Sequence, residues 1–394
     1  MDKTRALAHI EKIAWIKPIK DADNIELVGV LGWRCVAKKG EFKEGDFCVY
    51  IEIDSKVPET EQFEFLRNKH FKIKTMKLNK FKDETGNPIV SQGIALPVKE
   101  FQGIDNLNAT AEGFDVTELL DITYADPEDV KRKTVNPEMV YQKMRQQHKK
   151  LFSNKLVKKL MRYTWFRKVM FKLFGRKADK TCKFPSWIQK TDEERIENRP
   201  DYLADHKTMW EMTEKIDGTS TTFAMERPKK KFIGKEKYEL IVCSRNYQVH
   251  TGVYQEMAEK YQMQEALRKI LKVLAVDKVI VQGETYGPNI QKNPYKKDTV
   301  QFAAFNLTVI HGSQRRRYDY AGMHAILCAL NIPCVPFLGY VKFDDNVTMD
   351  TFKKDADGVS QLKNVKREGI VYRNTDNPEI SFKNVSNEYL LKEK

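Results

Sequence analysis

The sequence predicts an α+β protein in three parts. They are an N-terminal unit of short strands closed into a small barrel, a basic helical linker, and a C-terminal unit mixing antiparallel strands with helices. Three observations carry this prediction. Short runs rich in β-branched and aromatic residues, separated by turn residues, fill the first 125 positions. Between Lys131 and Lys183, thirteen Lys and five Arg face one Glu and one Asp, a net charge of +16 in 53 residues. After Phe184, strand-like and helix-like stretches alternate. The 394-residue chain carries only +14 in total, so the sequence flanking the basic stretch is close to neutral. That contrast sets the expected boundaries at 1–125, 126–183 and 184–394.

The N-terminal strands are expected at 6–16, 25–37 and 47–53, with shorter ones at 71–76 and 93–97. Gly40 and Gly45 supply turn chemistry before the third strand, and 83–88 reads as a loop. The pattern alone leaves a nucleic-acid-binding barrel and a purely structural one equally open. In the linker, Leu156, Leu160, Tyr163, Met170, Leu173 and Phe174 recur at helical spacing among Lys and Arg, which predicts one or two basic helices within 138–174. Such helices suit phosphate-backbone binding, a membrane surface, or a solvated face packed on a neighbouring domain. Further on, strands are expected at 240–243, 279–281, 302–310 and 370–372, and helices at 256–274 and 320–330.

Several function classes are excluded. No run of about 18 apolar residues occurs. The opening Met1 to Leu7 lacks a signal peptide's apolar stretch, so the expected location is intracellular, the cytoplasm. Cys35, Cys48, Cys182, Cys243, Cys328 and Cys334 are spread without a CxxC pair, fitting reduced thiols rather than zinc ligands or a disulfide framework. There is no GxxxxGK[ST], HExxH or GxSxG, and the seven His do not cluster. His250 and His311 lie near the motifs below and are read as structural.

Chemistry concentrates in the C-terminal part. Lys215-Ile216-Asp217-Gly218 lies between two strand-like runs, so the lysine ends a strand at a turn and Asp217 shares its face of an extended chain. Such a pair suits a nucleophilic amine beside a carboxylate, although K-x-D-G alone is also satisfied by a surface salt bridge. Four further elements follow in order: Ser244-Arg245-Asn246, then Gln282-Gly283-Glu284, then Phe302 to Asn306, and finally Arg367-Glu368-Gly369 with Phe382-Lys383. A cleft lined by Lys, Arg, two Glu and an aromatic suits a nucleotide, with the ring on the base, cations on phosphates and carboxylates on metal or ribose.

This ordered set resembles the covalent nucleotidyltransferase superfamily of ATP-dependent ligases and mRNA capping enzymes. Only eleven residues follow Lys383, too few for the C-terminal OB domain of DNA ligases and capping enzymes. Instead Ile19 to Glu26, Gly32-Trp33, Lys39 to Phe42, Gly45-Asp46 and Tyr50 to Ser55 look like the N-terminal OB domain of one RNA ligase family. The resemblance extends to Phe184-Pro185-Ser186, Lys190 to Arg195 and Ile290 to Tyr295, and leaves out the basic stretch. It implies that 184–394 is a nucleotidyltransferase (adenylation) domain behind an OB-type barrel.

The resemblance further implies an ATP-dependent RNA ligase that joins 3′-OH to 5′-phosphate ends, as in nick repair, through AMP-lysine and AMP-RNA. Lys215 would be the nucleophile, with Glu214 and Gly218 beside the nucleotide. Arg245 would contact its sugar-phosphate, Phe305 ahead of Phe302 would stack on adenine, and Lys383 would hold phosphate. Asp217, Glu284 and Glu368 would serve Mg²⁺ or Mn²⁺, with Glu284 also able to bind ribose. Relatives carry a second lysine two residues after the last-motif lysine; here that position is Val385, so the contact is missing or comes from Lys392 or another segment. The expected partner is RNA, held by Lys149, Lys150, Lys155, Lys158, Lys159, Arg162, Arg167, Lys168 and Lys190, with the protein a monomer needing no protein partner. A capping-type or tRNA-directed nucleotidyltransferase and a non-catalytic RNA-binding protein are the competing readings.

Overall fold

The computed structural model describes residues 6–83, 86–101, 104, 111–124, 182–228 and 238–392, together with 151–152, 154–161, 163, 166 and 169–170. Its N-terminal part is organised on the strand Ala8–Pro18, whose 11 residues serve two partners in succession. The first half pairs with Phe47–Ile51 and the second with Ile25–Val30, while Phe114–Asp115 pairs with it near the start. Trp33–Lys38 and Ile94–Pro97 complete a six-stranded antiparallel sheet of OB type. Ile10, Val28, Trp33, Val49 and Phe63 are buried at its centre.

Two expected strands are corrected. The run at 25–37 is a hairpin, with Val30 paired to Trp33 across a Leu31-Gly32 turn in which Leu31 adopts φ +51°. An apolar residue in a left-handed turn position leaves no compositional signal, so the two strands read as one. The run at 71–76 is not a strand; the strand Met76–Lys82 begins where it was expected to end. His70 and Phe71 are both left-handed after the 3-10 helix Glu61–Lys69, and the segment bonds singly to Asp54, Ser55 and Val57. Phe71, Ile73 and Thr75 are nevertheless buried, so the period-two pattern survives without the ladder.

Among the described linker residues, Lys155–Leu160 is helical, and Phe152, Met161 and Met170 form a small apolar cluster with Val157 and Phe166. Tyr163 is exposed instead, and Leu173 and Phe174 lie outside the described residues. No described helix is long and apolar enough to cross a membrane.

The C-terminal part holds two sheets. One has seven strands in the order Cys182–Lys183, Tyr247–Gln248, Leu240–Cys243, Thr219–Glu226, Lys278–Tyr286, Gln301–His311 and Gln314–Arg317. The other has five: Glu194–Arg195, Ser381–Val385, Gly369–Asn374, Met209–Lys215 and Phe337–Lys342. All their pairings are antiparallel except that of Glu194–Arg195 with Ser381–Val385. The helices Val253–Lys260 and Met263–Val273 bury Met257, Leu267 and Leu271 in a cluster with Phe223, Val281 and Phe302. They replace the single helix expected at 256–274, because Gln262 between them is left-handed at φ +50°. The helix expected at 320–330 ends at Cys328. A second core gathers Trp210, Phe352, Tyr372 and Phe382 around the five-stranded sheet.

The barrel docks on this part through the turn that divides its misread strand. The Gly32 N–H donates to the Glu197 carbonyl at 2.8 Å, and the Trp33 indole N–H donates to Asn198 Oδ1 at 2.5 Å. Arg195 pairs with Asp54 at 3.0 Å and lies over the Trp33 ring. A Cβ at Gly32 would sit 2.9 Å from the Glu197 backbone, closer than real contacts come. Gly32→Val should therefore cost about 1–3 kcal/mol through overpacking at the seam. A drop in the urea unfolding midpoint is the expected readout, and a midpoint equal to the parent's would refute this account of the docking.

Candidate active site

The chain crosses from one C-terminal sheet to the other at Ile216-Asp217-Gly218. Met209–Lys215 belongs to the five-stranded sheet and Thr219–Glu226 to the seven-stranded one, so Lys215 ends its strand at the seam between them. Gly218 is required by close approach: a Cβ there would lie 2.4 Å from the Thr285 carbonyl and 2.8 Å from Glu284 Cγ. Lys215 pairs across its own sheet with Gly369, which brings the preceding residue, Glu368, beside the amine. A side chain at Gly369 would meet the Asn384 carbonyl at 2.3 Å.

Lys215 Nζ donates to Glu368 Oε1 at 2.5 Å. Burial works to lower the pKa of this amine, but Glu368, Glu284 and Asp217 outweigh it and hold the lysine above its ordinary value. Burial pushes the Glu284 carboxyl up to about 8, against the pull of Lys215 and with the push of Glu368 and Asp217. Asp217 is fixed from two sides, its backbone N–H donating to Tyr295 Oη at 2.7 Å and its carboxylate accepting from the Tyr389 hydroxyl.

These groups line a cleft of about 850 Å³, a volume suited to a nucleotide. Lys383 Nζ, nearly buried, bonds Asp192 Oδ1 at 2.9 Å, and Arg245 bonds Asp192 Oδ2 at 3.1 Å while lying over the Tyr124 ring. Phe305 lines the cleft, whereas Phe302 is fully buried edge-on to Phe223. Glu214 also lines it, with Oε2 accepting the Gln361 N–H and Oε1 buried without a partner. The cleft thus brings together Glu214, Lys215, Asp217, Gly218, Arg245, Glu284, Phe305, Glu368 and Lys383.

Asp217, Glu284 and Glu368 do not by themselves form a metal cage: among the described residues no three His, Cys, Asp or Glu side chains converge on one ion position. The residues still fit a divalent ion bound in the manner of Mg²⁺, through one or two carboxylates with phosphate oxygens and water completing the shell. Glu368 Oε2 is buried and has no hydrogen-bond partner, a donor atom left over for such an ion.

Other expected residues fall elsewhere. Lys190 is exposed and donates to Asn246 Oδ1 at 3.2 Å, next to Arg245 but off the cleft wall. Lys149, Lys150, Arg162, Arg167 and Lys168 lie outside the described residues, as do the side chains of Lys155 and Lys158; Lys159 is exposed. His250 and His311 are exposed and do not line the cleft. Val385 does line it, and its carbonyl accepts from the buried Lys353 ammonium at 2.7 Å; the Lys392 side chain lies outside the described residues.

The sequence reading missed the wall contributed by the barrel, Asp54, Lys72, Lys74 and Tyr124, and the tail residue Tyr389. A signal for Lys72 and Lys74 existed, since they alternate with buried Phe71, Ile73 and Thr75.

Residues 7–98 match the OB-fold domain family model, and residues 208–392 match that of RNA ligase. The C-terminal part thus carries an RNA ligase domain. Its RNA ligase domain match holds the cleft residues from Glu214 to Lys383, and the basic stretch falls between the two matches. The whole chain is similar to solved structures of Naegleria gruberi RNA ligase at 28% identity. A lysine-to-methionine mutant with AMP and Mn has a TM-score of 0.72, covering 98% of this chain and 99% of that one. The same ligase with PPi has a TM-score of 0.72, covering 99% of each chain. A lysine-to-alanine mutant with ATP and Mn also has 0.72, covering 100% of this chain and 99% of that one. No curated protein matches the chain.

Glu368→Gln removes the carboxylate that bonds the Lys215 amine, so this lysine should lose its proton at lower pH. The rate at which an amine reagent modifies Lys215, followed by peptide mapping across pH, should show a midpoint below the parent's. An unmoved midpoint would mean that Glu368 does not hold the lysine charged.

Proposed function

We propose that this protein is an ATP-dependent RNA ligase that seals 3′-OH to 5′-phosphate RNA ends, with Lys215 as the nucleophile. The observation that carries the reading is a lysine at the seam of a nucleotide-sized cleft, bonded to a carboxylate, with further carboxylates, cations and an aromatic ring in the lining. ATP, AMP, PPi and Mn in the Naegleria gruberi structures support it.

In the first step the Lys215 nitrogen attacks the α-phosphorus of ATP, an N–P bond forms, and the P–O bond to pyrophosphate breaks. Phe305 stacks on the adenine, and Lys383 with Arg245 meets the phosphates after releasing Asp192. Lys72 and Lys74 face the same cleft from the barrel and add positive charge in place of the lysine that Val385 replaces. The ammonium must shed a proton first, which Glu368, Glu284 and Asp217 resist as long as they hold it charged. A divalent cation on those carboxylates competes with the ammonium for them and neutralises charge on the phosphates. In the second step AMP passes from Lys215 to the RNA 5′-phosphate; in the third the 3′-hydroxyl displaces AMP.

Lys215→Ala should abolish covalent labelling by α-labelled ATP while leaving the protein folded, because no other described cleft residue offers an equivalent amine at the seam. Retained AMP on the variant would reject Lys215. Labelling of the parent by GTP and not ATP would favour a capping-type enzyme, and labelling by neither would favour a non-catalytic RNA-binding protein.

On this reading the basic stretch 131–183 binds RNA phosphates. Neutralising Lys149, Lys150, Lys155, Lys158, Lys159, Arg162, Arg167 and Lys168 should leave AMP-lysine formation nearly intact and slow sealing. The salt dependence of RNA binding should become shallower by about 0.7 to 0.9 per lost contact. Equal sealing rates and equal salt slopes would reject the RNA role.

A further inference from the structure

The barrel carries a second line of positive charge that the ligase chemistry does not use. Lys72 and Lys74 line the cleft, and the chain then runs directly into the strand Met76–Lys82. Along that strand Met76, Leu78 and Phe81 are half-buried, and Leu78 and Phe81 pack against a cluster that includes Trp15 and Ile89. Lys77, Asn79, Lys80 and Lys82 are exposed. The pairing with Pro88–Ser91 is irregular between Leu78 and Lys82, and this bulge presents Asn79 and Lys80 to solvent in succession.

Among the described residues this lysine face carries no ion pair. Lys12, Lys278 and Lys366 elsewhere are paired with Glu112, Glu226 and Glu388. Among the described residues, no carboxylate lies within ion-pair distance of Lys74, Lys77, Lys80 or Lys82. At about 3.3 Å per residue the row from Lys74 to Lys82 reaches roughly 25 Å outward from the cleft. Exposed cations at intervals along an edge, with the apolar side chains turned inward, suit a phosphate backbone. An inserted membrane anchor would turn apolar side chains to the outer face, which this strand does not.

We propose that the lysine face of the Met76–Lys82 strand is a docking surface for RNA, holding the phosphates of a strand that runs out of the cleft. The proposal rests on the RNA ligase reading and adds where the substrate lies. Lys77, Lys80 and Lys82 make backbone contacts, so they set affinity and register without reading sequence.

The test replaces Lys77, Lys80 and Lys82 together by Gln in the full-length protein. Binding of a nicked RNA duplex is measured over a range of KCl concentrations, and AMP-lysine formation is measured on ATP alone. The variant should bind RNA about tenfold more weakly at low salt, with a log–log salt slope shallower by roughly 2 to 3. AMP-lysine formation should persist, because none of the three lines the cleft. A control with Lys269→Gln and Lys272→Gln, exposed on the helix Met263–Val273, should retain the parent slope. Equal slopes for the triple variant and parent would overturn the proposal, as would an equal loss in the control, which would mark a bulk-charge effect. Unchanged RNA binding with lost binding to phosphatidylserine vesicles would also overturn it, in favour of a membrane surface. If the parent formed no AMP-lysine, the ligase reading would fail while the salt slopes still decided the docking surface.

Discussion

The closeness of two sheets at Gly218 governs the rest of the cleft. With a backbone carbonyl where a side chain would have to go, the turn from Lys215 to Thr219 draws the ends of both sheets together. Lys215 then meets Glu368 from its own sheet and feels Glu284 from the other. Gly369 does the same within the five-stranded sheet, letting its strand lie against the Asn384 carbonyl so that Glu368 reaches the amine. Neither glycine touches a reacting atom on the proposed pathway; each sets the distance at which the charged groups meet.

The charges so gathered do not balance locally. Three carboxylates surround one ammonium, and burial raises the cost of leaving any of them uncompensated. Part of that imbalance is relieved by Glu284 holding its proton more tightly than a free carboxyl does. The lining also holds Arg245 and Lys383 from the ligase domain and Lys72 and Lys74 from the barrel, so the cleft gathers both signs of charge. Docking of the barrel through Gly32, Trp33 and Asp54 is therefore part of the site's electrostatics as well as of the fold.

What could be read from the sequence had a local signature. Lys215, Arg245 and Glu368 each sit at a strand end or next to a turn, Glu284 interrupts an apolar strand with a charged residue, and the structure brings them into one cleft. Of the two phenylalanines on one strand, Phe305 lines the cleft and Phe302 is buried in the core. What could not be read depends on the relative placement of distant segments. The pairing of Asp192 with both Arg245 and Lys383 bridges separate strands, and Tyr389 reaches Asp217 from the last described helix. The Leu31-Gly32 turn was hidden for the opposite reason, since its apolar leucine matched the strands on either side.

Asp192 has a consequence of its own. Its two oxygens occupy the Lys383 ammonium and the Arg245 guanidinium at once, so the ligand-free cleft already contains an anion of its own. An internal competitor of this kind sets a threshold. A weakly held anion such as chloride gains too little to displace it, whereas a polyphosphate engaging both cations can. On the proposed pathway, one carboxylate on the segment that leads into the Glu194–Arg195 strand would thus help to set the preference of the ligand-free cleft for multivalent anions.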